Sequence, residues 1–524
     1  MLYEICVGVI GVLALLYGVD FIIAHADDPR EPPRLSSAVP LVGHLLGVLR
    51  HGPAYYTQTS KQTKAEIYTI TILHQKIYVS NSSRLTPLIQ RARTLSFRPF
   101  LQKAAKVIAD GSDETFDLLG GDLLERFGAG MRDALAPGPG LDVQNLRMGE
   151  RSLVDVAELA GAGEVRLMEW CRRTVVQATS CGIFGVDHPF VDPDVEAAFW
   201  TWESYKTAHI TGTDLLGTGY AARDKVFAAF REYFENGENG SDGPSSEASF
   251  VIRERQRILR EGGVRFDDRV KQDASFCTAA FPSTVPTLFW TVYDLFSRPE
   301  ILAQVREELL EHAVVKGASG SGKLDVAALK TRCPLLLSVY QETQRTKHIH
   351  ANVRLVTEDT VLDGRWLLRK GAYLQMPGQP IHESEAVWGP AATEYDPYRF
   401  YQPQTTAARG EGEEETGKAG SRQKVTVKPN TFLAWGAAPH LCPARQFAST
   451  EVMILVALLA LSVDLAPAGG AGWDRRPELS TAEMTTLIGP AKDVRLEVRP
   501  REAAAGGWAL EMGESRTRVS LASG

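Results

Sequence analysis

The chain has 524 residues, 44% of them hydrophobic and 23% charged, which is the balance of an ordinary globular protein and excludes a disordered, collagen-like or coiled-coil chain. Its 57 basic and 64 acidic side chains leave a net charge of −7, so no general basic character argues for nucleic acid. At roughly 150 residues per domain, the length allows three domains or one large body with a fused core. The six cysteines, Cys6, Cys171, Cys181, Cys277, Cys333 and Cys442, are scattered and form no Cys-x-x-Cys pair. Neither a disulfide framework nor a structural zinc site is expected, and the bulk of the chain reads as an intracellular protein.

The N-terminus departs from that composition. Ile5 to Val19 is uncharged and mostly apolar, Asp20 interrupts the run, and Phe21 to Ala24 continue it. A spanning helix needs about 20 apolar residues. A cleaved signal would need early positive charge, whereas the leading charge here is Glu4. Residues 1–28 are therefore expected to be an uncleaved membrane anchor, and their flanks give no orientation. Prolines at 29, 32, 33 and 40 mark residues 29–50 as a stiff hinge.

Beyond the hinge, residues 66–72 and 76–79 alternate in the β-branched manner of short strands. Helical patterns then dominate, over Leu118–Leu135, Glu164–Cys181, Asp194–Ala208, Ala222–Phe234 and Ser249–Glu261. Asn236–Ser246 and Thr405–Lys424 have loop composition and read as surface insertions. The longest helix begins near Asp267 and runs to about Ser297. It is apolar on more than one face, so it should be buried. It contains Pro282 and Pro286, each of which removes a backbone donor. Gly317 to Lys323 almost spells a phosphate-binding loop, but position 324 is Leu where Ser or Thr should hold magnesium. With no strand expected before it, it reads as a flexible connection. The C-terminal region turns to strand-like pieces such as Val494–Val498. The fold class is mainly α with small sheets.

Three features carry chemistry. Cys442 follows a tight loop of small residues starting at Trp435 and precedes a helical pattern from Gln446. A cysteine at a helix start is helped toward thiolate by the N-terminal backbone donors. Glu342 and Arg345 share one face of a helix over Leu335–Lys347. Arg399, in Tyr395-Asp-Pro-Tyr-Arg-Phe400, could complete a buried Glu–Arg–Arg cluster with them.

Taken together, the proline hinge, Glu342-x-x-Arg345, Pro397-x-Arg399-Phe400 and the cysteine loop resemble the cytochrome P450 family, from Pro32 to about Arg501. The resemblance implies a large helical P450 catalytic domain over 51–502 with small β-sheets, followed by a tail over 503–524. Haem b would lie between the long buried helix and the cysteine loop. Cys442 would be the axial thiolate ligand of the iron, which favours O–O cleavage. Glu342, Arg345 and Arg399 would hold the loop. Arg354, His440 and Trp435 would contact the cofactor.

The chain also departs from the family pattern. Trp435 stands for the usual Phe, Ala438 and Ala444 for Gly, and His440 for a basic residue. Ala in place of Gly needs negative φ. No Trp-x-x-x-Arg propionate anchor precedes the helix at 118–135, which leaves Lys103 or Lys106 as substitutes. In the middle helix Pro282 takes the place of the usual acid and Ser283 that of the alcohol. This is similar to the branch containing cholesterol 7α-hydroxylase and prostacyclin synthase. Ser283 or Thr284 would then serve catalysis. Phe281, Thr287 and Leu487, in the loop 485–488, would face substrate.

What the resemblance implies for function is a monooxygenase acting on an apolar small molecule. Its insertions and branch look like fungal members that tailor terpenoids or polyketides in secondary metabolism. Dioxygen would be the oxidant and NADPH-cytochrome P450 reductase the partner. The N-terminal anchor would sit in the endoplasmic reticulum membrane with the body in the cytosol. One alternative is a haem-thiolate isomerase or dehydratase that needs no oxygen, motivated by Pro282. Another is a non-catalytic haem-binding protein.

Overall fold

The computed structural model describes residues 27–522 except 38, 40–41, 238–244, 317–321, 403–426, 475–476, 481–486, 502–506 and 514; before residue 27 it describes only 11, 14, 17–19, 21 and 22. The expected anchor therefore lies largely outside the described residues, and so does the insertion over Thr405–Lys424.

Five strands form the main sheet: β1 (Ile67–Ile72), β2 (Gln75–Ser80), β3 (Leu95–Ser96), β4 (Ala351–Val356) and β5 (Tyr373–Pro377), in the order β1-β2-β5-β4-β3. β1 and β2 are an antiparallel hairpin with Ile70 opposite Ile77, and β2 meets β5 in parallel. The proline segment is tied to this sheet rather than standing apart from it. The Thr69 N–H donates to the Pro33 carbonyl at 2.9 Å, and the Leu35 N–H donates to the Thr69 carbonyl at 2.8 Å. Buried Glu31 accepts from the Lys76 ammonium at 2.7 Å and the Tyr78 hydroxyl at 2.9 Å.

The helical body holds α1 (Leu123–Ala134), α2 (Pro139–Ala160), α3 (Leu167–Phe184), α4 (Pro193–Ser204), α5 (Thr218–Glu235), α6 (Phe250–Glu261), α7 (Phe266–Phe296), α8 (Pro334–Lys347) and α9 (Arg445–Ser462). α7 is the axis of the fold. Its 31 residues continue through both prolines, and every residue from Thr284 to Phe296 is buried. It packs against α3, α5, α8 and α9. Among the described residues α9 is the one helix long and apolar enough to cross a bilayer, but it is buried in the protein core.

Several elements differ from their sequence patterns. The helix expected over 118–135 is two helices, Asp113–Gly120 and α1, separated at Gly121. Residues 164–166 form a strand that pairs with Arg495–Glu497, and α3 starts only at Leu167. α2 had no legible periodicity because half of its buried face is polar, including Gln144, Asn145, Ser152 and Asp155. The phosphate-loop lookalike is flanked by strands, Val314–Lys316 and Gly322–Asp325, that pair with each other. The expected C-terminal tail is docked on the body. Trp508–Glu511 adds a parallel strand beside Gly322–Asp325, and Val519 is buried.

Candidate functional site

A cavity of about 450 Å³ lies between α7, the start of β4 and the loop that enters α9. α7 contributes Phe276, Ala279, Ala280, Ser283, Thr284 and Thr287. Their alternating spacing of three and one residues is the signature of one helix face. Two alanines at the middle of that face let a flat group approach the backbone. Leu487, Val353, Trp435 and Cys442 line the cavity as well.

The cysteine loop is a short hairpin, β6 (Gly436–Ala437) paired with β7 (His440–Leu441). The Cys442 N–H donates to the Trp435 carbonyl at 2.8 Å, closing the hairpin under the sulfur. Gly436 has φ +85°, and a Cβ there would sit 2.7 Å from the His440 carbonyl oxygen, so only glycine fits. Ala444, where the family has Gly, sits at φ −84°, an ordinary region for alanine. Burial pushes the Cys442 thiol up, while the Ala444 and Arg445 N–H groups and the Arg445 charge pull it back down. Those donors come from the N-terminal turn of α9 and aim at the sulfur.

The rim beside His440 is rich in unsatisfied donors. Arg354 is buried, spends two nitrogens on the Val353 carbonyl (2.7 Å) and Gln90 Oε1 (2.8 Å), and leaves Nε without a partner among the described residues. The Asn352 Nδ2 and Trp435 Nε1 groups are likewise buried without partners. Burial lowers the Arg354 pKa to about 10. Partial burial, with the charges of Arg354 and Arg132, lowers His440. Buried donors normally find acceptors, so this rim is built for an anionic group. A thiol, two small residues and an anion-seeking rim gathered on one cavity fit a flat, metal-bearing, carboxylate-bearing cofactor such as haem.

Behind the loop lies a buried ionic cluster. Arg345 donates to Glu342 through Nε (2.8 Å) and Nη2 (2.7 Å), and Arg399 Nε donates to Glu342 Oε1 at 3.1 Å. Glu342 and Arg345 are at most 1% exposed, so every donor must be satisfied internally. Arg345 spends its remaining donors on the carbonyls of His382, Ala392 and Glu394. Arg399 spends its own on Trp388, Ala391 and Glu394. The cluster thereby organises residues 382–399 as a shell around itself. His382 extends it to the loop: its Nδ1 faces the Arg345 carbonyl at 3.2 Å and its Nε2 accepts the Leu433 N–H at 2.8 Å.

The structure gathers Cys442, Trp435, His440, Arg354, Ser283, Thr284, Thr287 and Leu487 at the cavity. It does not bring Phe281 there. Phe281 is fully buried against Phe190 (5.4 Å between ring centroids) and Phe199 (5.2 Å). One residue on from Ala280 turns a side chain by about 100°, enough to leave the cavity face. Neither Lys103 nor Lys106 lines the cavity; Lys106 pairs with Asp113 at 2.9 Å at the surface. Thr485 and Thr486 lie outside the described residues. Sequence reading missed Arg132, Asn352, His350, His382 and Glu451. Arg132 was findable as the basic residue in the last turn of α1. The others carry no local signal, because each acquires its place through a contact distant in sequence.

The family model described as Cytochrome P450 matches residues 216–477. Cytochrome P450 monooxygenase nodJ from Hypoxylon pulicicidum is 30% identical over 499 residues, covering 93% of each chain. A Phomopsis amygdali protein named fusicocca-1,10(14)-diene-8beta,16-diol C-9 hydroxylase is 28% identical over 211 residues, 40% of this chain and 38% of that one. The solved structure of retinoic acid-bound cyanobacterial CYP120A1 superposes with a TM-score of 0.69 over 90% of this chain and 99% of that one, at 15% identity.

Proposed function

Because this chain belongs to the cytochrome P450 family, a family of oxidoreductases that bind haem b through a cysteine thiolate, we propose that Cys442 is that ligand and that the cavity under α7 is where an apolar small molecule is monooxygenated. Bound haem supplies dioxygen activation, for which a thiolate ligand donates electron density. In balance, one carbon–hydrogen bond and one dioxygen give one carbon–hydroxyl and one water, with two electrons from NADPH through a separate reductase and two protons completing the water. The observation that carries this reading is the convergence of Cys442, the Ala279–Ala280 face and the unsatisfied donors of Arg354, Asn352 and Trp435 on one cavity.

The residues divide the work. Arg354, His440, Trp435 and Asn352 would hold the cofactor's carboxylates, with the Arg132 charge acting beside His440. Glu342, Arg345 and Arg399 fix the shell from which the loop hangs. Ser283 and Thr284 are the hydroxyls on the middle of the α7 cavity face that would serve catalysis. Thr284 already donates to the Ala280 carbonyl at 2.8 Å, so it offers lone pairs to a hydrogen-bonded water. Thr287 and Leu487 border the substrate. Residues 1–28 anchor the protein in the endoplasmic reticulum membrane with the body in the cytosol.

The fusicoccadiene-diol hydroxylase among the relatives supports a role in secondary metabolism on a terpenoid-like skeleton. Expression with a reductase in a host that makes candidate precursors tests this directly. A product heavier by one oxygen that depends on NADPH and disappears in Cys442→Ser is the expected result. A product of unchanged mass formed without reductase would instead establish an isomerase.

A further inference from the structure

His350 is a cavity residue that neither the ionic cluster nor the cofactor rim uses. It follows α8 and immediately precedes β4, whose alternation places His350, Asn352 and Arg354 on one face. All three line the cavity. Asn352 and Arg354 stand at the donor-rich rim near His440. His350 lies two residues before Asn352, next to the backbone bridge between His348 and Leu487. Leu487 itself lines the cavity.

The ring of His350 is solvent-accessible in a particular sense: it is surrounded by protein mass yet exposed into the cavity. Burial lowers its pKa to about 4, so near neutrality it is an uncharged imidazole with one N–H donor and one acceptor nitrogen. Neither nitrogen has a hydrogen-bond partner among the described residues. Its ring neighbour His348, 6.2 Å away between centroids, offers only an edge contact. Two hydroxyls on the cavity face of α7 do not compete for a donor. Thr284 donates to the Ala280 carbonyl and Thr287 to the Ser283 carbonyl at 2.7 Å. His350 thus presents a neutral donor–acceptor pair to a cavity that also holds the unpartnered Gln144 Nε2 and Gln344 Oε1.

We propose that His350 is a substrate-positioning residue that hydrogen-bonds a neutral oxygen, a hydroxyl or carbonyl, on an otherwise apolar skeleton, so that this enzyme acts on a molecule already oxygenated by an earlier step. The inference rests on the monooxygenase reading above and narrows its substrate class. The physical ground is asymmetry of cost. A polar group in an apolar site is penalised when the ligand leaves it unpaired, and the penalty exceeds the gain from an ordinary extra contact. A hydrocarbon filling this cavity would bury the imidazole unpaired. A hydroxylated skeleton would satisfy it and would be fixed in one orientation relative to the Cys442 wall. A step that installs the first oxygen, by oxidation, by capture of water or by retention of an acyl carbonyl, must then precede this one.

The test is optical titration of the haem-loaded, full-length enzyme with two matched pairs: abietadiene with abietadienol, and 5α-androstane with 5α-androstan-3β-ol. Native enzyme is expected to bind the alcohol of at least one pair about tenfold more tightly than its hydrocarbon. In His350→Leu the preference collapses toward one while hydrocarbon affinity is kept, and in His350→Gln, which retains a donor and an acceptor, it is largely restored. The absence of an alcohol preference in native enzyme for both pairs, including no response to any of the four, overturns the proposal. So does a preference that survives His350→Leu. The thiolate-type band of the reduced carbon monoxide complex is recorded for each variant. Its loss in native protein would refute the haem-thiolate reading, whereas its presence with no alcohol preference refutes the role of His350 alone.

Discussion

His382 accepts the Leu433 backbone N–H on Nε2 at 2.8 Å while its Nδ1 faces the Arg345 carbonyl at 3.2 Å. One imidazole therefore joins the Glu342–Arg345–Arg399 cluster to the segment that leads into the Cys442 loop. The tautomer follows from the partners: Nε2 accepts, so Nδ1 carries the proton and donates to the carbonyl. Burial beside Arg345 lowers the His382 pKa to about 3, which keeps that arrangement neutral across the physiological range. His382→Ala should leave the Leu433 N–H unpaired and cost about 1–3 kcal/mol. Urea unfolding measures that cost, and haem retention after gel filtration measures its effect on the loop. Stability and retention equal to native would show that the loop does not hang from this link.

Arg345→Lys tests the cluster itself. Lysine keeps the charge but cannot form the fork to both Glu342 oxygens and still reach the carbonyls of His382, Ala392 and Glu394. Removing one partner of a buried ion pair costs about 3–5 kcal/mol. Arg345→Lys should lose a large part of that, and Glu342→Ala should give no soluble haem-loaded protein. Thermal melts and haem content of the purified fractions check both.

Phe281 and Thr287 should separate packing from binding. Phe281→Ala removes a ring packed on Phe190 and Phe199 and should cost about 3–5 kcal/mol of stability. Ligand titrations of the surviving folded fraction should be unchanged, because the ring does not reach the cavity. Thr287→Val is nearly isosteric at a cavity-facing position and should alter ligand affinity with little change in the melting temperature. A reversed pattern would mean that the face of α7 has been misassigned.

Two glutamates, Glu451 buried and Glu308 half-buried, set a pH dependence. Burial raises Glu451, which accepts from the Thr179 hydroxyl at 2.6 Å, to about 8. It raises Glu308, which accepts the Leu335 and Leu336 N–H groups at the start of α8, to about 7. Both values lie above the 4.5 of an unperturbed glutamate, so the folded state binds more protons than the unfolded state between them. Their contribution to stability is fully present below the unfolded value and is lost as pH rises through 7 and 8. Raising the pH from about 6 to about 9 should lower the urea midpoint of native protein, and Glu451→Gln should flatten that slope. Parallel slopes in the two proteins would place the titration elsewhere.

Much of the site was legible in the chain because its chemistry is local. Cys442 announces itself through a small-residue loop that must precede a helix, and Glu342 with Arg345 through a one-turn spacing. α7 could be read from an unbroken apolar stretch with two prolines, and β1 and β2 from alternation. α2 escaped because its buried face is half polar, so the periodicity that marks an amphipathic helix is absent from the letters. Phe281 was misplaced because the stretch 279–290 carries no charge and only three hydroxyls, and composition alone cannot choose which face of a buried helix meets a cavity and which meets other helices.

By itself, then, the sequence determined which covalent chemistry is available: a thiol poised at a helix start, an ion-pair motif, and a helix too apolar to be anything but central. Only the tertiary structure decided which groups meet. His382 reaches Leu433 across 51 residues, Arg399 reaches Glu342 across 57, and Arg354 reaches Gln90 across 264. A hydrogen bond depends on distance and angle in space, and those are set when the sheet and α7 pack. His350 is the clearest case. As a letter it is one of eleven histidines, and packing alone turns it into a neutral, unpaired imidazole facing the cavity.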